Sequence, residues 1–335
     1  MATIRTLACP LLLAALVLSA FAARAGELRE VGSFGSNPGN LKMFGYVPDG
    51  LAPNAPLVVV LHGCKQEAAS FARDSGFVAR ADRDKFALLL PQQRGLPPVY
   101  YDIFVLPWVY LWYGANNQNA CFNWFERRDV RREGGEAQSI AQMIDSMIAR
   151  HDLDRSRVFV VGLSAGGAMS AAMLAAYPEK FSGGAIVAGI PVGCADTVSE
   201  ALHCMNPGVD RPPAEWGKAV PSAPARLARI AIWHGDRDER VTPLNARELV
   251  EQWGAVLGVQ PPPARTQTDN LVRERYANAD GSRMLESVTV KGLAHAFPVA
   301  AGAGAPCGQP GDFVAAAGVC AAGEIVKFWG IGSAD

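Results

Sequence analysis

Short apolar runs bounded by turn residues recur along the chain: residues 56–61 (PLVVVL), 86–90 (FALLL), 158–161 (VFVV), 184–188 (GAIVA), 230–233 (IAIW) and 286–290 (ESVTV). Most show no apolar/polar alternation. That is the pattern of strands covered on both faces, as in a parallel sheet. Between them lie helix-period stretches at 68–81, 136–150, 165–177 and 245–253. Strands alternating with helices predict an α/β chain, doubly wound, with a mostly parallel sheet and helices on both faces. Residues 28–47 read as one or two antiparallel strands before the alternation begins. Pro261-Pro262-Pro263 reads as a rigid turn inside the domain. No internal repeat and no Gly/Ser-rich linker breaks the pattern.

The first residues add a different signal. Arg5 precedes an apolar run from Leu7 to Phe21, and Ala23-Arg24-Ala25 follows with small residues where a signal peptidase reads. Residues 1–25 are therefore expected to be a secretory signal peptide, and 26–335 a single catalytic domain. The apolar run is shorter than the ~20 residues a membrane span needs, so no stable membrane anchor is expected. Net charge is −1, without the basic footprint of a nucleic-acid binder. Removal of Cys9 with the signal leaves Cys64, Cys121, Cys194, Cys204, Cys307 and Cys320. An even number in an exported chain suggests disulfides, whose connectivity the spacing alone leaves open. The pairing we expect is Cys64–Cys121, Cys194–Cys204 and Cys307–Cys320. The last two would close local loops, and the first would tie two segments at the cleft together. No Cys-x-x-Cys and no His/Cys cluster has zinc spacing, so no metal and no cofactor are expected.

Gly162-Leu163-Ser164-Ala165-Gly166 is a G-x-S-x-G motif between a predicted strand and an Ala-rich predicted helix, the setting of a nucleophile elbow. A serine hydroxyl needs a base. In this fold class the order is Ser, acid, His, so His203, His234 and His295 are the candidates. His203 lies between two cysteines and His234 at a strand end. His295 stands just past the last predicted strand, where the base belongs. For the acid, Asp236, Asp238 and Glu239 compete after the 230–233 strand. Asp236 comes early in the turn and suits local backbone bonding. Asp238 precedes the point where Val241-Thr242-Pro243 re-enters the core, and is favoured. Oxyanion donors are expected at the backbone N–H of Ala165 and of Cys64, in Leu61-His62-Gly63-Cys64 after an early strand.

Taken together, Leu61-His62-Gly63-Cys64, Cys121-Phe122-Asn123-Trp124-Phe125, Gly162-Leu163-Ser164-Ala165-Gly166-Gly167, His234-Gly235-Asp236-Arg237-Asp238 and Gly292-Leu293-Ala294-His295-Ala296-Phe297-Pro298 resemble the α/β-hydrolase esterases that include extracellular short-chain polyhydroxyalkanoate depolymerases, with feruloyl and acetylxylan esterases as relatives. The resemblance implies a Ser164/Asp238/His295 triad. The expected activity is hydrolysis of carboxylic esters through an acyl-enzyme on Ser164. A hydroxyalkanoate polyester or its oligomers is the expected substrate, and a feruloyl or acetyl ester of plant polysaccharide the alternative. A serine peptidase and a non-catalytic binding protein on the same scaffold are the more distant readings.

The resemblance further implies that Trp124 and Phe297 belong to the substrate cleft. Phe122 and Phe297 stand where members often carry tryptophan, which implies a differently shaped cleft. Members that attack solid polymer often carry a further binding module. This chain ends soon after Cys320, so soluble esters are expected before crystalline polymer. Residues 97–119 hold Tyr100, Tyr101, Phe104, Trp108, Tyr110, Trp112 and Tyr113. They are either core or an apolar surface at the cleft edge. In the second case Trp108 and Trp112 would bind substrate.

Overall fold

A computed structural model of the chain describes residues 26–100, 103–220, 227–301 and 307–332; the expected signal peptide lies outside them. Two short N-terminal strands, β1 (Arg29–Glu30) and β2 (Lys42–Tyr46), are followed by β3 (Leu57–Leu61), helices α1 (Ala68–Asp74) and α2 (Phe77–Asp84), and β4 (Ala87–Gln92). Then come α3 (Pro107–Tyr113), α4 (Gly135–His151), β5 (Val158–Leu163), α5 (Ala165–Ala176), β6 (Gly183–Val187), α6 (Val198–Met205), α7 (Pro213–Lys218), β7 (Arg229–Gly235) and α8 (Leu244–Leu257). The chain closes with β8 (Gln260–Gln267), β9 (Leu271–Ala277), β10 (Met284–Val290), β11 (Phe297–Val299), β12 (Val314–Ala316) and α9 (Ala321–Trp329).

Ten strands form one sheet in the order β1-β2-β4-β3-β5-β6-β7-β10-β9-β8. The run from β4 through β10 is parallel, and the outer strands are antiparallel. Every residue of β3, β5 and β6 is buried. Successive side chains point to opposite faces of a strand. Leu57, Val59 and Leu61 accordingly join a core shared with Ile140, Ile144 and Met147 of α4, Met169 and Met173 of α5, and Leu249 and Trp253 of α8. Val58 and Val60 join the opposite core, with Phe71 of α1, Phe77 of α2 and Ile325 and Val326 of α9. Each such Val, Leu or Ile contributes about 1.5–3 kcal/mol by leaving water. This two-sided burial is why the strand runs lack alternation, and it gives the expected α/β-hydrolase architecture.

Two sequence readings are corrected. Residues 68–81 are two helices, broken at Ser75-Gly76, where Gly76 takes a left-handed φ of 88°. Pro261–Pro263 is part of β8 rather than a turn. β8 is the sheet's edge strand, with an irregular register between Gln260 and Ala264, so proline's missing N–H costs no ladder bond there. Disulfides join Cys64 to Cys121, Cys194 to Cys204 and Cys307 to Cys320. No helix among the described residues is long and apolar enough to cross a membrane.

Candidate active site

The carboxyl ends of β5, β7 and β10 bring three sequence-distant side chains to one edge of the sheet. Ser164 occupies the turn between β5 and α5 with φ 57° and ψ −120°, a strained conformation for a non-glycine residue. The neighbouring glycines make the turn possible. A Cβ on Gly162 would lie 2.2 Å from the Gly166 carbonyl oxygen, and one on Gly166 would lie 2.2 Å from that of Leu61. The Ser164 N–H is held by the Val187 carbonyl at 2.9 Å. The serine thus sits at the N-terminus of α5, which favours developing negative charge.

After β7, Asp238 is buried and His295, from the turn after β10, meets it with Nδ1 2.7 Å from Oδ2. The Arg240 and Val241 N–H groups each donate to Asp238 Oδ1 at 2.9 Å. Burial opposes ionisation of Asp238. Hydrogen bonds from His234 and His295, with that from Val241, outweigh it and hold the carboxyl well below the usual carboxylate range. Asp236 and Glu239 are exposed. Asp236 Oδ1 accepts the Gly292 N–H at 2.6 Å, tying the two turns together without touching the imidazole.

The loop after β3 packs against the nucleophile: a Cβ on Gly63 would lie 3.5 Å from Ser164 Cβ. Half-buried Cys64 follows in that loop, and Ala165 is the first residue of α5, next to Ser164. His62 is fully buried. Its Nδ1 lies 2.7 Å from the Gly63 carbonyl oxygen, and its Nε2 accepts the Gln93 N–H at 3.1 Å. Burial pushes its pKa down to about 4, the Gly63 bond only partly offsetting it. Since an unfolded histidine titrates near about 6.5, the contribution of neutral His62 to stability is complete above that pH. It is lost as pH falls through about 4, at about 1.4 kcal/mol per pH unit. Urea unfolding between pH 7 and 4 should show that fall, and the His62→Gln protein a shallower one; equal slopes would remove His62 as the source.

Of the expected substrate residues, Trp124 is 9% exposed and packs with Ala165, Ala168 and Ile190 behind the nucleophile. It lines a cavity of about 490 Å³ with Ala168, Ile190 and Pro191. Phe297 is corrected. It is fully buried between Phe71 and Phe77, with ring centroids 5.7 and 5.9 Å away, because β11 turns it into the core. Trp108 and Trp112 are 63% and 86% exposed. No residue of α3 is buried, so this part of the aromatic segment is surface. A cavity of about 510 Å³, lined by Lys65, Gln66, Gln93, Leu96 and Tyr113, joins α3 to the Cys64 loop.

Several further residues support the site. His234 Nε2 lies 3.3 Å from Asp238 Oδ2 and 2.8 Å from the Val241 carbonyl oxygen, making it a second support of the acid. Phe313 meets the His295 ring edge-on at 6.1 Å. Gln66 accepts the Gly63 N–H at 2.7 Å and donates to the Asp312 carbonyl. The Cys307–Cys320 disulfide marks the loop that carries Asp312 and Phe313, but no spacing rule ties it to the triad.

Residues 41–97 and 110–268 match the family described as Esterase PHB depolymerase. The chain is 41% identical over 330 residues to poly(3-hydroxyalkanoate) depolymerase C of Paucimonas lemoignei, covering 97% of this chain and 74% of that one. It is 31% identical to feruloyl esterase B of Neurospora crassa, over 86% and 94% of the two chains. Among solved structures, acetyl xylan esterase from Aspergillus awamori superposes with a TM-score of 0.66 at 25% identity, over 81% and 94% of the two chains.

Proposed function

The chain belongs to the Esterase PHB depolymerase family, whose members here are carboxylic ester hydrolases, and from that membership we propose an acyl-enzyme mechanism on Ser164. Ser164 Oγ attacks the ester carbonyl as His295 takes its proton. Asp238 holds the imidazole with its proton on Nδ1 and stabilises the imidazolium. The N–H groups of Cys64 and Ala165 receive the oxyanion. His295 then protonates the leaving alcohol, and water, activated by the same imidazole, releases the acid. The observation that carries this reading is the 2.7 Å contact of His295 Nδ1 with buried Asp238, on the edge where Ser164 stands. Residues 26–335 act as one catalytic domain, exported after removal of 1–25; three disulfides support an oxidising destination.

The substrate we favour is a hydroxyalkanoate polyester or its oligomers. Two things support it over feruloyl or acetyl polysaccharide. The depolymerase relative has the higher identity of those described above. In addition, Val99, Ile103, Phe104, Trp108, Leu111 and Trp112 are all more than half exposed. Asp102 is the one charge in residues 97–119. Such a surface suits an uncharged, apolar chain. Replacing Trp108 and Trp112 together by alanine should raise KM on polyester particles about tenfold or more, a loss of about 1.4 kcal/mol or more in binding. It should leave kcat/KM for p-nitrophenyl acetate and the melting temperature unchanged. Parallel losses on both substrates, with a lower melting temperature, would assign the two tryptophans to packing.

A further inference from the structure

Beneath the Cys64 loop a closed ring of bonds runs through buried polar groups that the mechanism above does not use. Gln93 and Glu136 are 2% and 0% exposed. Glu136 Oε1 accepts from Gln93 Nε2 at 2.5 Å, and Oε2 accepts the Asn123 N–H at 2.9 Å. Gln93 Nε2 also donates to the Cys121 carbonyl at 3.0 Å, and its Oε1 accepts from Arg94 N–H and Asn116 Nδ2 at 2.9 and 2.5 Å. Cys121 is bonded through sulfur to Cys64. From Gln93 the backbone continues the ring: its N–H donates to His62 Nε2. A ring nitrogen that accepts carries no proton, so the His62 proton is on Nδ1, facing the Gly63 carbonyl oxygen at 2.7 Å.

That last bond has a directional consequence. In a planar trans peptide the N–H points opposite to the C=O. With the Gly63 carbonyl held toward His62 and toward the Gln66 N–H, the Cys64 N–H is turned the other way. A rotation of this one peptide would replace an oxyanion donor by a carbonyl oxygen. We propose that Glu136 and Gln93 are positioning residues of the esterase, fixing the His62 tautomer and thereby the peptide that presents the Cys64 N–H. The inference rests on the serine-esterase reading. Glu136 is placed to act because its carboxyl oxygens accept from both Gln93 and Asn123, clamping the strand end after β4 to the Cys121 segment, the two ends of the ring; burial and neighbouring Asp129 push its pKa well above the usual carboxylate range. Neutral His62, whose pKa lies far below neutrality, keeps one nitrogen free to accept.

The test compares Glu136→Gln, which sets an amide against the Gln93 amide, with Gln93→Met, which keeps the backbone donor but removes its anchor. Each should lower kcat for p-nitrophenyl butyrate about tenfold to 100-fold, the range below full loss of an oxyanion donor, with KM within about twofold. Affinity for an aryl boronic acid, whose adduct on Ser164 is tetrahedral, should fall by the same factor. The double variant Glu136→Gln/Gln93→Glu restores an amide–carboxylate pair and should regain part of the kcat. In the unsubstituted protein, ¹⁵N NMR should find the His62 proton on Nδ1. A proton on Nε2, or folded variants with unchanged kcat and boronate affinity, would overturn the proposal. Should Glu136→Gln fail to fold, Gln93→Met and the NMR measurement still decide it. Ser164→Ala run alongside separates the two levels: activity surviving there refutes the esterase mechanism itself, whatever the ring does.

Discussion

Replacing Ser164 by alanine is expected to lower kcat on a short p-nitrophenyl ester by about 10⁵- to 10⁶-fold while the protein folds normally. The size follows from the unit behaviour of a triad. Without the hydroxyl, His295 and Asp238 have no nucleophile to activate, and what remains is about 10³–10⁴ over water from binding and the oxyanion donors. The normal fold follows from the local contacts. Ser164 is held at its φ of 57° by its backbone, through Val187, and by the close approach of Gly162, Gly166 and the β3 loop. Alanine keeps all of these. KM should change little, because the hydroxyl contributes to the transition state rather than to ground-state binding. Near-normal turnover with unchanged circular dichroism would mean that another residue attacks the ester.

The second large effect is expected at the acid. Asp238→Asn should lower kcat by about 10⁴-fold, since an amide cannot hold His295 in the productive tautomer or stabilise its charge. Asp236→Asn should change kcat by about twofold at most, in keeping with an exposed position. Its amide oxygen can still accept the Gly292 N–H. The contrast is sharp because the two carboxylates are only two residues apart. One is buried against two histidines and the other faces solvent. The hydrogen bonds around Asp238 depress its carboxyl, so it stays ionised well below the usual carboxylate range. A reversed ranking of the two variants in kcat would move the acid to Asp236.

What the sequence made legible divides along physical lines. The strands buried on both faces stand out because nothing interrupts their apolar runs. Ser164 stands out because a tight strand–turn–helix needs glycine at both flanks. His295 and Asp238 were reachable by chain order, and the choice of Asp238 over Asp236 by where the chain turns back inward. β8 and β9 escaped notice because strands at the water-facing margin of the sheet carry polar residues, and the edge strand β8 tolerates proline. Phe297 was misplaced because proximity to His295 in sequence says nothing about which way a strand turns its side chains. β11 sends Phe297 between Phe71 and Phe77. The aromatic segment was undecidable from composition: Trp and Tyr fill cores and coat surfaces equally well, and the exposure of α3 is a tertiary fact. His234, Gln93 and Glu136 were invisible as a set because their relation to the site runs through hydrogen bonds between residues far apart in the chain.

The most direct measurement of the central claim is a side-by-side assay of the mature protein on amorphous poly(3-hydroxybutyrate) particles, feruloylated arabinoxylan and acetylxylan, with Ser164→Ala as the blank. The account predicts that soluble hydroxybutyrate acid and oligomers are released fastest, that the release disappears in the blank, and that ferulate and acetate appear slowly or not at all. Rapid release of ferulate or acetate with the polyester left intact would contradict it and place the substrate among plant polysaccharide esters.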